Sequence, residues 1–297
     1  MLEFLPKDLK IRIFDWGAYM LFPILVLVVY RLIVSRRFFV KGVCVLLLLI
    51  CLLGIWVRFV EPQLLFVRET SIHVGFTSRI AVISDLHLGP LKSEKFLRRV
   101  IQRMNTLDVD YVLVAGDWTY EPETEDLDRL FQPFAELKIP VYGVLGNHDV
   151  ERPGPPLRKE LVEILERNGV NMLNNEIVSL KNFALVGFGD LWSAEDDTSI
   201  LNTLSANENI ITLMHNPDTL DKFQSPILHG LSVAGHTHCG QVRIPFFYKK
   251  AIPTRGEYDK GYTEEPNGKL FITCGVGETA LSLRFLNPPT IDILNLR

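Results

Sequence analysis

The segment IPVYGVLGNHDV, residues 139–150, reads as a short buried strand that halts at Gly146 and then sets three polar side chains in a row. Asn147, His148 and Asp149 follow the glycine without a spacer. Polar groups at the end of a buried strand cost stability unless something satisfies them. Two upstream segments have the same form. YVLVAGD (111–117) is an apolar run that stops at Asp117, and RIAVISDLH (79–87) runs into Asp85 and His87. Between the strands lie segments with helical spacing. KSEKFLRRVIQRMN (92–105) puts Phe96, Leu97, Val100, Ile101 and Met104 on one face. EDLDRLFQPFAEL (125–137) predicts a second helix, and PLRKELVEILERNG (156–169) a third that ends at Gly169. Strands alternating with helices predict an α/β sheet with helices on its faces. Pro153, Pro155 and Pro156 mark a surface loop.

The second half is richer in strands: EIVSL (176–180), FALVGFGD (183–190), NIITLMH (209–215), GLSVAGH (230–236), GQVRIP (240–245), GKLFITCG (268–275) and TIDILNL (290–296). Two of these also end in histidines, His215 in one and His236 with His238 in the other.

The chain has 297 residues, enough for one large domain or two. Its formal net charge of −4 supplies no basic field, so no nucleic-acid partner is expected. Cys44, Cys51, Cys239 and Cys274 form no CxxC pair, so no disulfide is expected and nothing demands an oxidising compartment.

Excess hydrophobicity sits at the front. WGAYMLFPILVLVVY (16–30) and GVCVLLLLICLLGIWV (42–57) are uncharged, and Arg31, Arg36, Arg37 and Lys41 lie between them. A spanning helix needs roughly 20 apolar residues. Each run reaches that with its flanks, and Trp16, Tyr19, Tyr30 and Trp56 sit where an aromatic belt belongs. The expectation is a two-helix hairpin in the cell membrane. A cleaved signal peptide followed by a core helix, or a hairpin dipping into one leaflet, are the alternatives. A short interfacial helix built on Leu2, Phe4 and Leu5 with Leu9, Ile11, Ile13 and Phe14 could precede the first span. Lys7, Lys10, Arg12, Arg58 and Arg68 nearly balance the loop cations, so the charges fix the anchor and not the face, tipping slightly toward the cytoplasmic side. The organisation is then an anchor over residues 1–60, a linker with a lead-in strand over 61–78 and a catalytic domain over 79–297.

Sites in α/β sheets form beyond the carboxyl ends of strands. Five such loops deliver Asp85, His87, Asp117, Asn147, His148, His215, His236 and His238 to one edge. Carboxylates and imidazoles together suit two divalent ions, Mn²⁺ first, with Fe or Zn²⁺ as alternatives. Asp85 and His87, two apart on an extended segment, can share one ion, and His236 with His238 repeats that spacing. A carboxylate such as Asp117 can bridge the pair. Two ions clamp phosphoryl oxygens and lower the pKa of a bridging water, and the hydroxide attacks phosphorus in line.

The set DxH, GD, GNHD, H and GHxH resembles the calcineurin-like metallophosphoesterase family over nearly the whole of residues 79–297. GYTEEPNGKLFITCGVGE (261–278) and LRFLNPPTIDIL (283–294) resemble the closing strands of its membrane-anchored or exported bacterial members. The resemblance implies a four-layer αββα sandwich of two mixed sheets. It implies that Asp85, His87 and His238 bind one ion, that Asn147, His215 and His236 bind the other, and that Asp117 bridges. It further implies that His148 sits over the phosphate and helps protonate the leaving group, with Asp149 orienting it. One departure is Cys239, where relatives carry glycine; it reads as a small side chain in a turn, or as a thiolate near the metal. Arg243, Arg255 and Tyr258 could reach a substrate phosphate, though structural roles fit them better, and His73 and His229 read as structural.

The activity these residues imply is hydrolysis of a phosphodiester or pyrophosphate near a membrane, on a substrate that the anchor allows to be lipid-linked. A UDP-2,3-diacylglucosamine pyrophosphatase is the narrower alternative, weakened by the lack of a long apolar insertion between GDW and GNHD. A membrane-tethered protein that binds metal or phosphate without turnover is the alternative of another class.

Overall fold

The computed structural model describes residues 7–150, 157–205, 207–255 and 258–297. The loop expected at Pro153, Pro155 and Pro156, and the positions Leu2, Phe4 and Leu5, lie outside them.

Three helices open the chain: α1 (Lys7–Ala18), α2 (Leu21–Val34) and α3 (Phe38–Ile55). Leu, Val and Ile cover α2 and α3 on nearly every side. Only Val28, Cys44 and Cys51 are buried on them, and most other apolar side chains are exposed. A helix apolar all round needs a protein or lipid environment on its outer face. The helical stretches Ile13–Val34 and Phe38–Gln63, of 22 and 26 residues, are long enough to cross a membrane. They suggest membrane anchoring. The chain breaks between them at Ser35, whose backbone is extended.

The rest builds two six-stranded sheets. The first has the order β1 (Phe66–Ile72), β12 (Thr290–Leu296), β2 (Ser78–Ile83), β3 (Tyr111–Ala115), β4 (Val141–Val144), β5 (Val170–Met172). The second runs β10 (Gly261–Glu265), β11 (Gly268–Ile272), β9 (Ile227–Ala234), β8 (Ile210–Leu213), β7 (Ala184–Gly187), β6 (Glu176–Ser179). Both are mixed: β2 through β5 are parallel, while β12 pairs antiparallel with β2, and β6 with β7. The lead-in strand expected ahead of Arg79 is β1, which pairs with β12 over seven positions.

Apolar side chains from the facing sheets, among them Ile80, Val82, Leu113, Leu185, Leu213 and Val233, fill the space between them. Helices α4 (Glu94–Met104), α5 (Leu127–Phe131) and α6 (Arg158–Arg167) cover the first sheet. On α4 the five expected residues are the buried ones, each contributing about 2 kcal/mol by its burial. The second helix is shorter than the spacing predicts. Pro133 removes a donor and tightens residues 132–136 into a 3-10 turn. The outer face of the second sheet carries 3-10 turns at Thr198–Thr203 and Pro217–Lys222 in place of long helices. The strand expected at GQVRIP does not form. Gln241 and Phe246 hold positive φ and Pro245 lacks an N–H, so the segment turns, leaving one isolated bridge from Val242 to Phe285.

Candidate metal centre

The carboxyl ends of β2, β3 and β4 deliver Asp85 and His87, Asp117, and Asn147 and His148. Those of β8 and β9 deliver His215, and His236 with His238. Five of these residues, Asp85, His87, Asp117, His236 and His238, have φ between 45° and 66°. A non-glycine residue held there costs on the order of 1 kcal/mol or more. That strain turns each side chain back over the strand ends. Two glycines make room for it. Gly116 has φ +80°, and a Cβ on Gly146 would lie 2.2 Å from Asp117 Oδ1.

The ligating atoms form three overlapping groups: Asp85 with His87 and His238, Asp117 with His215 and His236, and, joining these two, His87 with Asp117 and His148, each with its atoms within 4.8 Å of one another. His87 Nε2 lies 3.0 Å from His238 Nε2 and 3.5 Å from Asp117 Oδ2. His215 Nε2 lies 3.2 Å from Asp117 Oδ2, 3.1 Å from Asn147 Oδ1 and 3.1 Å from His236 Nδ1. Asp117 therefore stands between the groups. Their spacing alone would allow His236 and His238 to share one ion, whereas the family resemblance implies one on each ion. They fall into different groups, His238 beside His87 and His236 beside His215.

Backbone carbonyls fix three imidazoles. A carbonyl can only accept, so His87 Nδ1–H donates to Thr119 O (3.2 Å), His215 Nδ1–H to Ala115 O (2.8 Å) and His236 Nε2–H to Pro253 O (3.1 Å). In each case the second nitrogen faces the cluster, the arrangement that orients a metal-ligating histidine. Asp85 Oδ1 and His238 Nδ1 are buried with no hydrogen-bond partner among the described residues. Lone pairs converging at 3.0–3.5 Å, with an orphaned carboxylate oxygen among them, fit divalent cations.

The electrostatics agree. Burial pushes His87 and His236 down to about 3 and His238 well below its usual value, so these imidazoles are neutral and able to ligate. Burial and the neighbouring Asp117 raise Asp85 to about 7, against the pull of His215. Burial works against the charge of Asp117, yet His215, His148 and His87 together hold it well below the carboxylate range. Burial alone would lower His215, but Asp117 overrides it and raises His215 to about 10. A cation would displace the proton of His215 and take the place of its charge.

His148 donates its backbone N–H to Asp117 Oδ1 (3.0 Å), and its ring stacks edge-on near His87 and lines the cavity. Asp149, expected to orient His148, spends its carboxylate elsewhere. Oδ1 accepts from Thr119 N and Oγ1 (2.9 and 2.8 Å), and Oδ2 from Trp118 N and Gly146 N (3.1 and 2.9 Å). Those four bonds fill both oxygens and brace the β3 loop against the β4 loop. Arg243 makes a two-pronged pair with Asp259 (2.6 and 3.0 Å) and Tyr258 bonds Asp221 (2.6 Å), so both side chains have structural partners, while Arg255 bonds Asp218 through its backbone N–H (2.9 Å).

Three features escaped the sequence reading. Cys239 and Cys274 form a disulfide, contrary to expectation. The two are 35 residues apart, but β9 and β11 are parallel neighbours, so their carboxyl ends emerge side by side. The bond ties the turn after His238 to the loop after β11. Asp190 and Trp192 were also missed. Asp190 is buried just past β7, and Trp192 meets His236 edge-on at 4.7 Å. GFGD after β7 has the same form as VAGD after β3, which is the signal that could have found Asp190. Finally, the end of the apolar N-terminal helices joins the site through hydrogen-bonded polar groups. Trp56 Nε1 donates to Glu61 Oε2 (2.8 Å), Asn287 N to Glu61 Oε1 (2.6 Å) and Asn287 Nδ2 to His238 O (2.7 Å).

The open side of the cluster is a cavity of about 430 Å³, lined in part by Asp117, His148, Trp192, Gln241 and Ala280. Residues 78–240 match the model of the calcineurin-like phosphoesterase family. The chain is similar to the uncharacterized metallophosphoesterase YkuE of Bacillus subtilis, 29% identical over 82% of this chain and 89% of that protein. It is 26% identical to the phosphodiesterase YaeI of Escherichia coli, over 81% and 88% of the two lengths. It is 24% identical to the UDP-2,3-diacylglucosamine pyrophosphatase LpxG of Chlamydia muridarum, over 81% and 92%.

Proposed function

Since the chain belongs to the calcineurin-like phosphoesterase family and is a hydrolase of phosphoester bonds, we propose that it cleaves a phosphodiester or diphosphate linkage in a substrate held at a membrane surface. The observation that carries this reading is Asp117 standing between two ligand groups. Asp85, His87 and His238 would hold one ion, Asn147, His215 and His236 the second, and Asp117 would bridge them. Mn²⁺ suits this oxygen and nitrogen set, as do Fe and Zn²⁺. When bound, two such ions supply charge for the phosphoryl oxygens and acidify a water.

The chain's own residues do the rest. The pinned imidazoles keep the donor atoms aimed inward without reorganisation, which is how a fixed site favours developing charge. His148, at the mouth, would stabilise the phosphoryl group and give a proton to the leaving oxygen. Asp149 would act one step removed, by bracing the two loops that carry His148 and Asp117. Residues 1–60 would be the anchor and 79–297 the catalytic region. The Cys239–Cys274 disulfide supports the oxidising side of the membrane for that region, where the nearly balanced charges left the face open with a slight lean to the cytoplasmic side.

The test uses the full chain in detergent with Mn²⁺, assayed on bis-p-nitrophenyl phosphate and then on UDP-diacylglucosamine, beside His148→Ala and Asp117→Ala. Metal-dependent turnover lost in both variants is expected, and the better substrate selects between the two linkages. Turnover that survives Asp117→Ala would overturn the site assignment.

A further inference from the structure

The turn that replaces the expected GQVRIP strand has an outer side. Val242, Ala251 and Pro253 face the site cavity, while Ile244, Phe246 and Phe247 point away from the molecule, 49%, 94% and 65% exposed. Phe246 sits at φ 71°, a conformation a bulky residue adopts only when the surroundings impose it. The turn is rigidly held. Phe247 N and Tyr248 N both donate to Ile244 O (3.1 Å), Arg243 stacks on Tyr248 at 3.8 Å, and both side chains bond Asp259. At its base, the disulfide fixes Cys239. Exposed Lys249 and Lys250 follow directly.

The turn is also continuous with the anchor. Arg243 N donates to Phe285 O (2.9 Å), and Arg284 N donates to Val57 O (3.1 Å), two residues past the end of α3. Leu286, 57% exposed, follows Arg284 and Phe285 directly. The adjacent residues Arg284 and Phe285 therefore link the turn that carries the exposed aromatics to the point where the chain leaves the apolar helix. Apolar side chains presented on a rigid turn, followed by two lysines, are the composition of an interfacial membrane contact with anionic headgroups.

We propose that the turn Ile244–Lys250 is a second membrane contact, in which Phe246 and Phe247 enter the interface and Lys249 and Lys250 meet lipid phosphates. This rests on the reading of α2 and α3 as membrane spans. The contact seats the mouth of the site at headgroup level, so the phosphate of a membrane-held substrate reaches His148 without the lipid leaving the bilayer. It defines the partner as a lipid surface on the side of the membrane where α3 ends.

The test is site-directed spin labelling of the full chain in nanodiscs containing anionic phospholipid. The background carries Cys44→Ala and Cys51→Ala, which removes the free cysteines and leaves the disulfide. Labels go on three single variants: Phe246→Cys in the turn, Leu47→Cys on α3, and Lys181→Cys in the remote β6–β7 turn. Power saturation then compares collision with oxygen, which concentrates in lipid, against a nickel chelate, which stays in water. The proposal expects the 246 label to favour oxygen, as the 47 label does, while the 181 label favours nickel. A lipid-like 47 label with a water-like 246 label overturns the docking proposal alone. A water-like 47 label overturns the anchor reading and this proposal with it.

Discussion

Reducing the Cys239–Cys274 bond should both destabilise the catalytic region and weaken its hold on metal. The bond closes a loop of 35 residues, and the chain-entropy relation assigns such a crosslink about 4 kcal/mol. For a region of this size, that lowers the unfolding midpoint by roughly 10 °C. The second effect is local. Cys239 follows His238, and both hold positive φ in the turn that the disulfide ties down. Releasing the tether lets that strained backbone relax and carries His238 away from His87 and Asp85. The assay is thermal unfolding of the full chain, oxidised and reduced, each with Mn²⁺ and with EDTA, beside Cys239→Ser/Cys274→Ser. The reduced protein and the double variant should unfold together at the lower temperature, and Mn²⁺ should raise their midpoints less than it raises the oxidised protein's. Equal midpoints and equal metal stabilisation in both redox states would refute the reasoning, as would thiol titration finding four free cysteines in the protein as isolated.

Gly146→Ala places a methyl 2.2 Å from Asp117 Oδ1, so Mn²⁺ affinity measured by calorimetry should fall at least about tenfold with the fold intact by circular dichroism. Asp149→Ala leaves three buried N–H groups without their acceptor; at about 1–3 kcal/mol each, the loss should appear in denaturant unfolding as well as in turnover, whereas His148→Ala should affect turnover alone. Metal affinity should rise with pH, because Asp85, raised to about 7, and His215, raised to about 10, must both lose protons to ligate. Below pH 7 two protons leave, so affinity should change about a hundredfold per pH unit; between 7 and 10 one proton leaves and the change falls to about tenfold. Calorimetry on either side of pH 7, in buffers of different ionisation enthalpy, counts those protons, and a pH-independent affinity would contradict the assignment.

Much of the site was legible because β2, β3 and β4 are short, apolar and buried, and each ends in polar residues with no other reason to be there. The histidines announced a cation for the same reason. What was not legible depends on neighbours distant in sequence. The disulfide needs β9 beside β11, a pairing that no spacing encodes. Asp149 looked like a partner for the adjacent His148, yet its four donors come from the turn of its own loop and from the β3 loop. His236 and His238 part because each meets a different partner distant in sequence, His215 for the one and His87 for the other. The segment after the apolar helices read as a linker in composition. In the fold Glu61 is buried and accepts from Trp56 and Asn287, which couples the end of α3 to His238. GQVRIP alternates like a strand, but Pro245 and two positive-φ residues turn it outward.

The central claim is that two ions are held across Asp117, and metal counting tests it most directly. The full chain, loaded with Mn²⁺ and freed of excess, is analysed for metal per polypeptide beside Asp117→Asn. The account predicts two ions per chain, with the variant retaining fewer. A single ion in the unaltered chain, or two retained without the Asp117 carboxylate, would contradict it.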